Sequence, residues 1–166
     1  NPAKYPFCIG RAGVAVNYTP WLRQLVNDIN LAYVSGFYRL GDYQALSASL
    51  RYFSLGEVST SSDMSSSDNM TISPYEMSVD VAYSRMLSET FSAAVALRFI
   101  YSDITYDYSD ETSPGKAFAA DIALYWNRYF TGRTREWNMG IGLNISNIGS
   151  KISYGGDDNS EFIPTN

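Results

Sequence analysis

The chain has 166 residues, a formal net charge of −5 and no histidine. Without histidine it has no Ser-His-Asp triad, no Cys-His pair and no histidine metal site. With 17 acidic residues against 12 basic ones it also lacks the cationic footprint of a nucleic-acid binder. Hydrophobic residues make up 45% and aromatics 15%, yet mean hydropathy falls slightly below zero, so the apolar residues are interleaved with Ser, Asn, Thr and Gly. Alternating strands produce that mixture.

No run reaches the roughly 18 apolar residues of a membrane helix, a test that is nearly blind to a membrane β-barrel. Cys8, the lone cysteine, cannot form an internal disulfide. It reads as an unreactive thiol, because a reactive one needs a base or cation nearby. The chain opens at Asn1-Pro2-Ala3-Lys4 and closes at Pro164-Thr165-Asn166. Both ends read as cut from something longer.

In chain order, Ala12, Val14, Val16 and Tyr18 alternate with Gly13, Ala15 and Asn17. Thr19 as an N-cap and Pro20 at a first helical position predict a short helical turn. Ile29, Leu31 and Tyr33 alternate with Asn30 and Ala32, and Gly41-Asp42 signals a tight turn. Leu46, Ala48, Leu50 and Tyr52 oppose Ser47, Ser49 and Arg51. The Ser-rich stretch Ser59 to Ser73 predicts a long mobile loop. Met77, Val79, Val81 and Tyr83 then oppose Glu76, Ser78, Asp80 and Ser84, and Leu87 to Thr90 forms a short turn. Phe91, Ala93, Val95, Leu97, Phe99 and Tyr101 face away from Ser92, Ala94, Ala96, Arg98 and Ser102, before a polar loop from Asp107 to Gly115. Phe118, Ala120, Ile122, Leu124 and Trp126 oppose Ala119, Asp121, Ala123 and Asn127. After a link from Thr131 to Arg135, Met139, Ile141, Leu143 and Ile145 oppose Asn138, Gly140, Gly142, Asn144 and Ser146. The pattern predicts an all-β fold of about seven strands in hairpin order.

Two features separate this from a soluble sandwich. Several strands run about 10 to 14 residues, enough to cross a bilayer with tilt, where sandwich strands commonly have about 5 or 6. The connections also alternate in length. Gly41-Asp42, Leu87 to Thr90 and Thr131 to Glu136 are short; Thr19 to Asn27, Ser59 to Ser73, Asp107 to Gly115 and Gly155 to Ser160 are longer. Hairpin order puts the short ones at one end and the long ones at the other, as in outer-membrane barrels. Tyr18, Tyr52, Phe53 and Tyr101 fall toward the long-loop end, and Phe37, Tyr43, Phe91, Tyr129, Phe130 and Trp137 toward the short-turn end. They suit two interfacial girdles, although β propensity alone also favours such residues.

Sequence signals for chemistry are weak. Gly140-Ile141-Gly142 lacks the third glycine of a nucleotide loop and lies in a strand pattern; close approach of a backbone or plug explains such glycines better. Asp103, Asp107, Asp110 and Glu111 lack calcium-loop spacing and read as a solvated loop. Neither a metal nor a cofactor is expected. The mid-strand charges carry more information: Arg51, Asp80, Arg98 and Asp121 all fall on the polar face, with alternating sign from strand to strand. Charges at mid-membrane height must face the lumen and pair. A ladder of salt bridges filling the barrel interior is the favoured reading, and a polar lining for a transport path the alternative.

The stretches Tyr18-Thr19-Pro20-Trp21-Leu22, Ala45 to Gly56, Pro74-Tyr75-Glu76-Met77 and Asn144 to Ile152 resemble the PorV family of outer-membrane proteins of the Bacteroidetes type IX secretion system. The resemblance covers nearly the whole chain and is weakest in the two polar loops. It implies a FadL-like antiparallel transmembrane β-barrel of about fourteen strands, of which this chain supplies about half. It also implies a role in binding the C-terminal domain of secreted cargo and passing it from the translocon to the attachment machinery, read here as non-enzymatic because without histidine a conventional hydrolase site is hard to build. The implied partners are cargo C-terminal domains, translocon and attachment-complex proteins, outer-membrane lipid and lipopolysaccharide, and no nucleic acid. The rival readings are a FadL-type transporter of hydrophobic small molecules and a lipopolysaccharide deacylase. About seven strands cannot close a family-sized barrel without leaving two bare edges, so plug and closing strands are expected outside the segment. Leu50, Val79, Val81, Val95, Leu97, Leu124, Ile141 and Leu143 share the phase expected to face lipid. Trp21 is the best candidate for a cargo contact, or else an interfacial anchor.

Overall fold

The computed structural model describes residues 1–20, 29–56, 58–60, 70–104, 113–132 and 135–155. The strands are β1 (Ala12–Pro20), β2 (Ile29–Arg39), β3 (Gln44–Leu55), β4 (Val58–Thr60), β5 (Met70–Ile72), β6 (Tyr75–Ser88), β7 (Phe91–Asp103), β8 (Ser113–Thr131), β9 (Glu136–Gly149) and β10 (Ser153–Gly155). Seven long ones, β1, β2, β3, β6, β7, β8 and β9, form a curled antiparallel half-barrel in hairpin order. Short β10 follows β9 along the same edge of β8. The pair β4–β5 is a separate two-stranded hairpin.

Period-two alternation sets the two faces, because successive side chains of a strand point to opposite sides. Here the usual burial rule is inverted. The buried side chains are small or polar, among them Ala82, Ala94, Ala96, Ala123, Ser84, Ser92 and Asp121. The large apolar ones are exposed, from Val14 and Val16 on β1 through Leu50, Val81 and Leu97 to Ile141 and Leu143 on β9. Leu97 is 67% exposed, while Ala96 and Arg98 beside it turn inward. Register carries this phase across every strand pair: Leu50↔Val79, Val81↔Leu97, Leu97↔Ala120 and Leu124↔Leu143. All eight residues of the lipid-facing phase lie on this outer face. In water such a continuous apolar sheet would cost roughly 25 cal/mol per Å² and far exceed the patches that soluble monomers tolerate.

The inner face is covered toward its short-turn end by a single 3-10 helical segment, Pro2–Phe7, here called the strap. Asn1 caps it by accepting a hydrogen bond from Ala3 N–H, and Pro2 takes the first position, where a missing N–H costs nothing. A plug was expected only outside the chain, yet the strap, built from residues for which no element was expected, lies on the inner face.

Other expectations are corrected. Thr19 and Pro20 are the last residues of β1 rather than a helix start, and 21–28 lie outside the described residues. The two ends of Ser59 to Ser73 pair as β4 and β5, with 61–69 outside the described residues. Residues 105–112 are likewise outside, and β8 begins at Ser113 because Ser113 to Lys116 pair with β10. Leu40 to Tyr43 link β2 to β3 around the expected Gly41-Asp42, whereas Leu87 and Ser88, expected in a turn, still belong to β6 and only Glu89-Thr90 link it to β7. Among the aromatics, Phe37, Phe53 and Tyr129 sit on the inner register, opposite Gly13, Glu76 and Asn138. The outer long-loop end instead carries a row of Tyr52, Tyr75 and Tyr101, with ring centroids 5.7 and 5.9 Å apart.

Candidate functional site

The inner face holds one charged cluster, and strand register builds most of it. Asp80 on β6 is directly opposite Arg98 on β7, and their side chains are ion-paired. Arg98 also reaches Asp121 on β8, diagonally displaced, with Nη2 2.9 Å from Oδ2. Its remaining Nη1 donates to Asn147 Oδ1 at 2.7 Å. Each carboxylate is held a second time: Ser49 Oγ donates to Asp80 Oδ2 at 3.1 Å, and Asn147 N–H donates to Asp121 Oδ1 at 2.8 Å.

The last contact depends on a β-bulge. Between Ala120↔Ile148 and Ile122↔Ile145 the ladder slips, leaving Asp121 opposite two residues, Ser146 and Asn147. Asn147 adopts φ 62°, the left-handed region that Asn tolerates better than most residues. The bulge turns its N–H toward the Asp121 carboxylate instead of a strand carbonyl. Two residues on, β9 runs so close to β8 that a Cβ on Gly149 would overlap the Phe118 carbonyl oxygen.

Of the four residues expected to form the ladder, three come together. Arg51 does not. It lies opposite Tyr33 and Ser78, two positions beyond Ser49, which is the residue facing Asp80. Its guanidinium carbon lies 5.9 Å from the Tyr33 ring centroid, and it makes no ion pair among the described residues. Sign alternation identified the right strands; the stagger of two residues decided which partner Asp80 meets.

The strap closes over the cluster's short-turn side. Asn1 Nδ2 donates to the carbonyls of Leu124 and Leu143, each at 3.1 Å. It can approach because position 142 is glycine: a Cβ there would stand 2.9 Å from Asn1 Nδ2. Ala3 packs on Ala94 and Ala123, and Ser92 Oγ donates to its carbonyl. Tyr5 stacks on Phe37 at 4.7 Å, and Arg39 Nη1 donates to Cys8 O at 2.8 Å. Burial, with Tyr33 beside it, pushes the Tyr5 phenol above its usual 10.0, against a weaker pull from Ser35. Strap, Arg51 and charged cluster together line an open polar hollow of about 200 Å³. The sequence signal for the strap was present in Asn1-Pro2, a cap followed by a first-position proline. Trp21, the candidate contact, lies outside the described residues.

Among the described residues no group of three metal-ligating side chains stands together. Arg98 is spent on Asp80, Asp121 and Asn147, so the cluster ties strands and offers little to a ligand.

An apolar exterior, a small and polar interior and long antiparallel strands in hairpin order define the class: a partial β-barrel of the outer-membrane type. Within that class, the sequence model of one family, described as Type IX secretion system protein PorV, matches residues 1–166. The chain belongs to that family and is a component of type IX secretion. No curated protein matches it.

Proposed function

We propose that the protein is a non-enzymatic outer-membrane component of type IX secretion that binds the C-terminal domain of secreted cargo and passes it to the surface attachment machinery. The observation that carries this reading is the family match along the whole chain. The fold supports a division of labour within it. The half-barrel wall is a rigid, ion-paired scaffold, and its longer connections all leave from one end. Loops on a rigid scaffold are where binding residues concentrate. In this reading cargo is engaged through 19–27, 59–73, 107–115 and 155–160, with Trp21 as the leading single contact.

Passage of hydrophobic small molecules suits the structure less well, since the hollow at the inner face is lined by Arg51, Asp80, Arg98 and Asp121. A lipopolysaccharide deacylase finds little support either: with no histidine, Ser49 beside Asp80 has no neutral base to activate it.

The test is pull-down of a cargo C-terminal domain by the membrane-assembled protein, with the 59–73 loop shortened or Trp21→Ala. Reduced capture with normal assembly supports the proposal. Undiminished capture by both variants removes these elements from the contact site.

A further inference from the structure

The outer face is apolar along the middle of its strands but charged unequally at its two ends. Among the described residues on the outer register of the long strands, the ionic side chains are Arg85, Arg128, Lys116 and Asp103. Lys116 and Asp103 are both at the long-loop end, on neighbouring strands, so that end has both signs. Arg85 and Arg128 are at the other end, each four residues ahead of its short turn at Glu89 and Gly132. Arg11, just ahead of β1, joins them by lying over outward-facing Tyr38.

Among the described residues these three cations meet no carboxylate on their own face. The acids at this end are placed elsewhere: Asp42 and Glu89 in turns, Glu136 on the inner register. None of the three arginines makes an ion pair among the described residues. Two lie over rings, with Arg11 Cζ 5.5 Å from the Tyr38 centroid and Arg128 Cζ 5.4 Å from that of Phe130. A ring face attracts a guanidinium without using up its N–H donors, which stay free to donate. A planar fork of donors at the rim of a membrane-facing apolar band complements a phosphate. Trp126 and Trp137, also on the outer register at this end, have the rings favoured at headgroup level.

We propose that Arg11, Arg85 and Arg128 form a phosphate-binding belt that selects anionic phospholipid headgroups around the short-turn end of the barrel. The inference rests on the membrane reading of the outer face, and its test separates the two. The protein, carrying Trp21→Phe so that fluorescence comes from Trp126 and Trp137, is reconstituted into vesicles. These contain brominated phosphatidylglycerol or brominated phosphatidylcholine at equal mole fraction, and the bromines quench tryptophans in contact with lipid. The expected result is a preference of about fivefold for phosphatidylglycerol, the size of effect one surface cation produces, and its decline in high salt. The triple variant R11Q/R85Q/R128Q should bring the preference close to one while phosphatidylcholine quenches as before. K116Q, at the opposite end, should leave it intact. A preference that survives the triple variant, or is absent from the parent protein although both lipids quench, overturns the belt. Quenching by neither lipid overturns the membrane reading and the belt with it.

Discussion

Asp80, Arg98 and Asp121 stand one residue away from Val81, Leu97 and Ile122, on the same strands and in the same hydrogen-bond ladders. Yet the first three are tied to one another on the inside and the second three are bare on the outside. A pleated strand forces neighbours apart, so chemistry can change completely over a single step of about 3.3 Å. Each face is matched to its surroundings: polar groups pair among themselves where they are enclosed, and apolar groups need no partner where lipid is the solvent. The two faces therefore fail differently when they are changed.

The inner face is the more fragile. Arg98→Met leaves Asp80 and Asp121 enclosed without their cation, and is expected to destabilise by about 3 to 5 kcal/mol. Unfolding from lipid vesicles by urea measures it. The triple change D80N/R98M/D121N should recover much of the loss, because no uncompensated charge remains. A loss as large as that of the single variant would mean that the ion pairs themselves hold the wall together.

On the outer face, Leu97→Arg should cost about 2 to 4 kcal/mol if Leu97 sits near the bilayer midplane, whereas Leu97→Met should be nearly silent in the same assay. Equal tolerance of both would contradict the membrane reading of this face. Gly149→Ala should cost about 1 to 3 kcal/mol, since the new methyl meets the Phe118 carbonyl backbone, which cannot swing away. Gly142→Ala should cost less, because the clash there is with the movable Asn1 side chain. The smallest effect concerns Tyr5. Its folded-state phenol titrates above the usual 10.0, so its stabilising contribution is complete below that value. It is lost as pH rises through the raised value. A melting series in alkaline buffer should show this slope in the parent protein and lose it in Tyr5→Phe.

Much of this contrast was legible in the sequence because it repeats every second residue. Val79, Val81, Val95 and Leu97 alternate with Ser78, Asp80, Ala96 and Arg98 without a break, so strand identity and phase followed directly. What escaped has no period. The strap is two short 3-10 turns, PAKYPF, marked in sequence only by the Asn1 cap and Pro2, and its place on the inner face depends on Ala94 and Ala123 leaving room for Ala3. The bulge at Asn147 is one left-handed residue in an otherwise regular strand, and nothing in Asn144-Ile145-Ser146-Asn147 marks it. Arg51 had the right strand and face but sat two positions beyond Ser49, which actually faces Asp80. Phe37, Phe53 and Tyr129 were grouped by height along the strand, which says nothing about which way a ring points.

Alternate residues of each strand should meet lipid and the residues between them should not. Spin labels at consecutive positions 79–82 and 95–98, introduced one at a time with Cys8 replaced by Ser, test this most directly in reconstituted vesicles. Collision with dissolved oxygen should oscillate with period two, with maxima at Val79, Val81, Val95 and Leu97 and minima at Asp80, Ala82, Ala96 and Arg98. A flat profile, or maxima at Asp80 and Arg98, would contradict it.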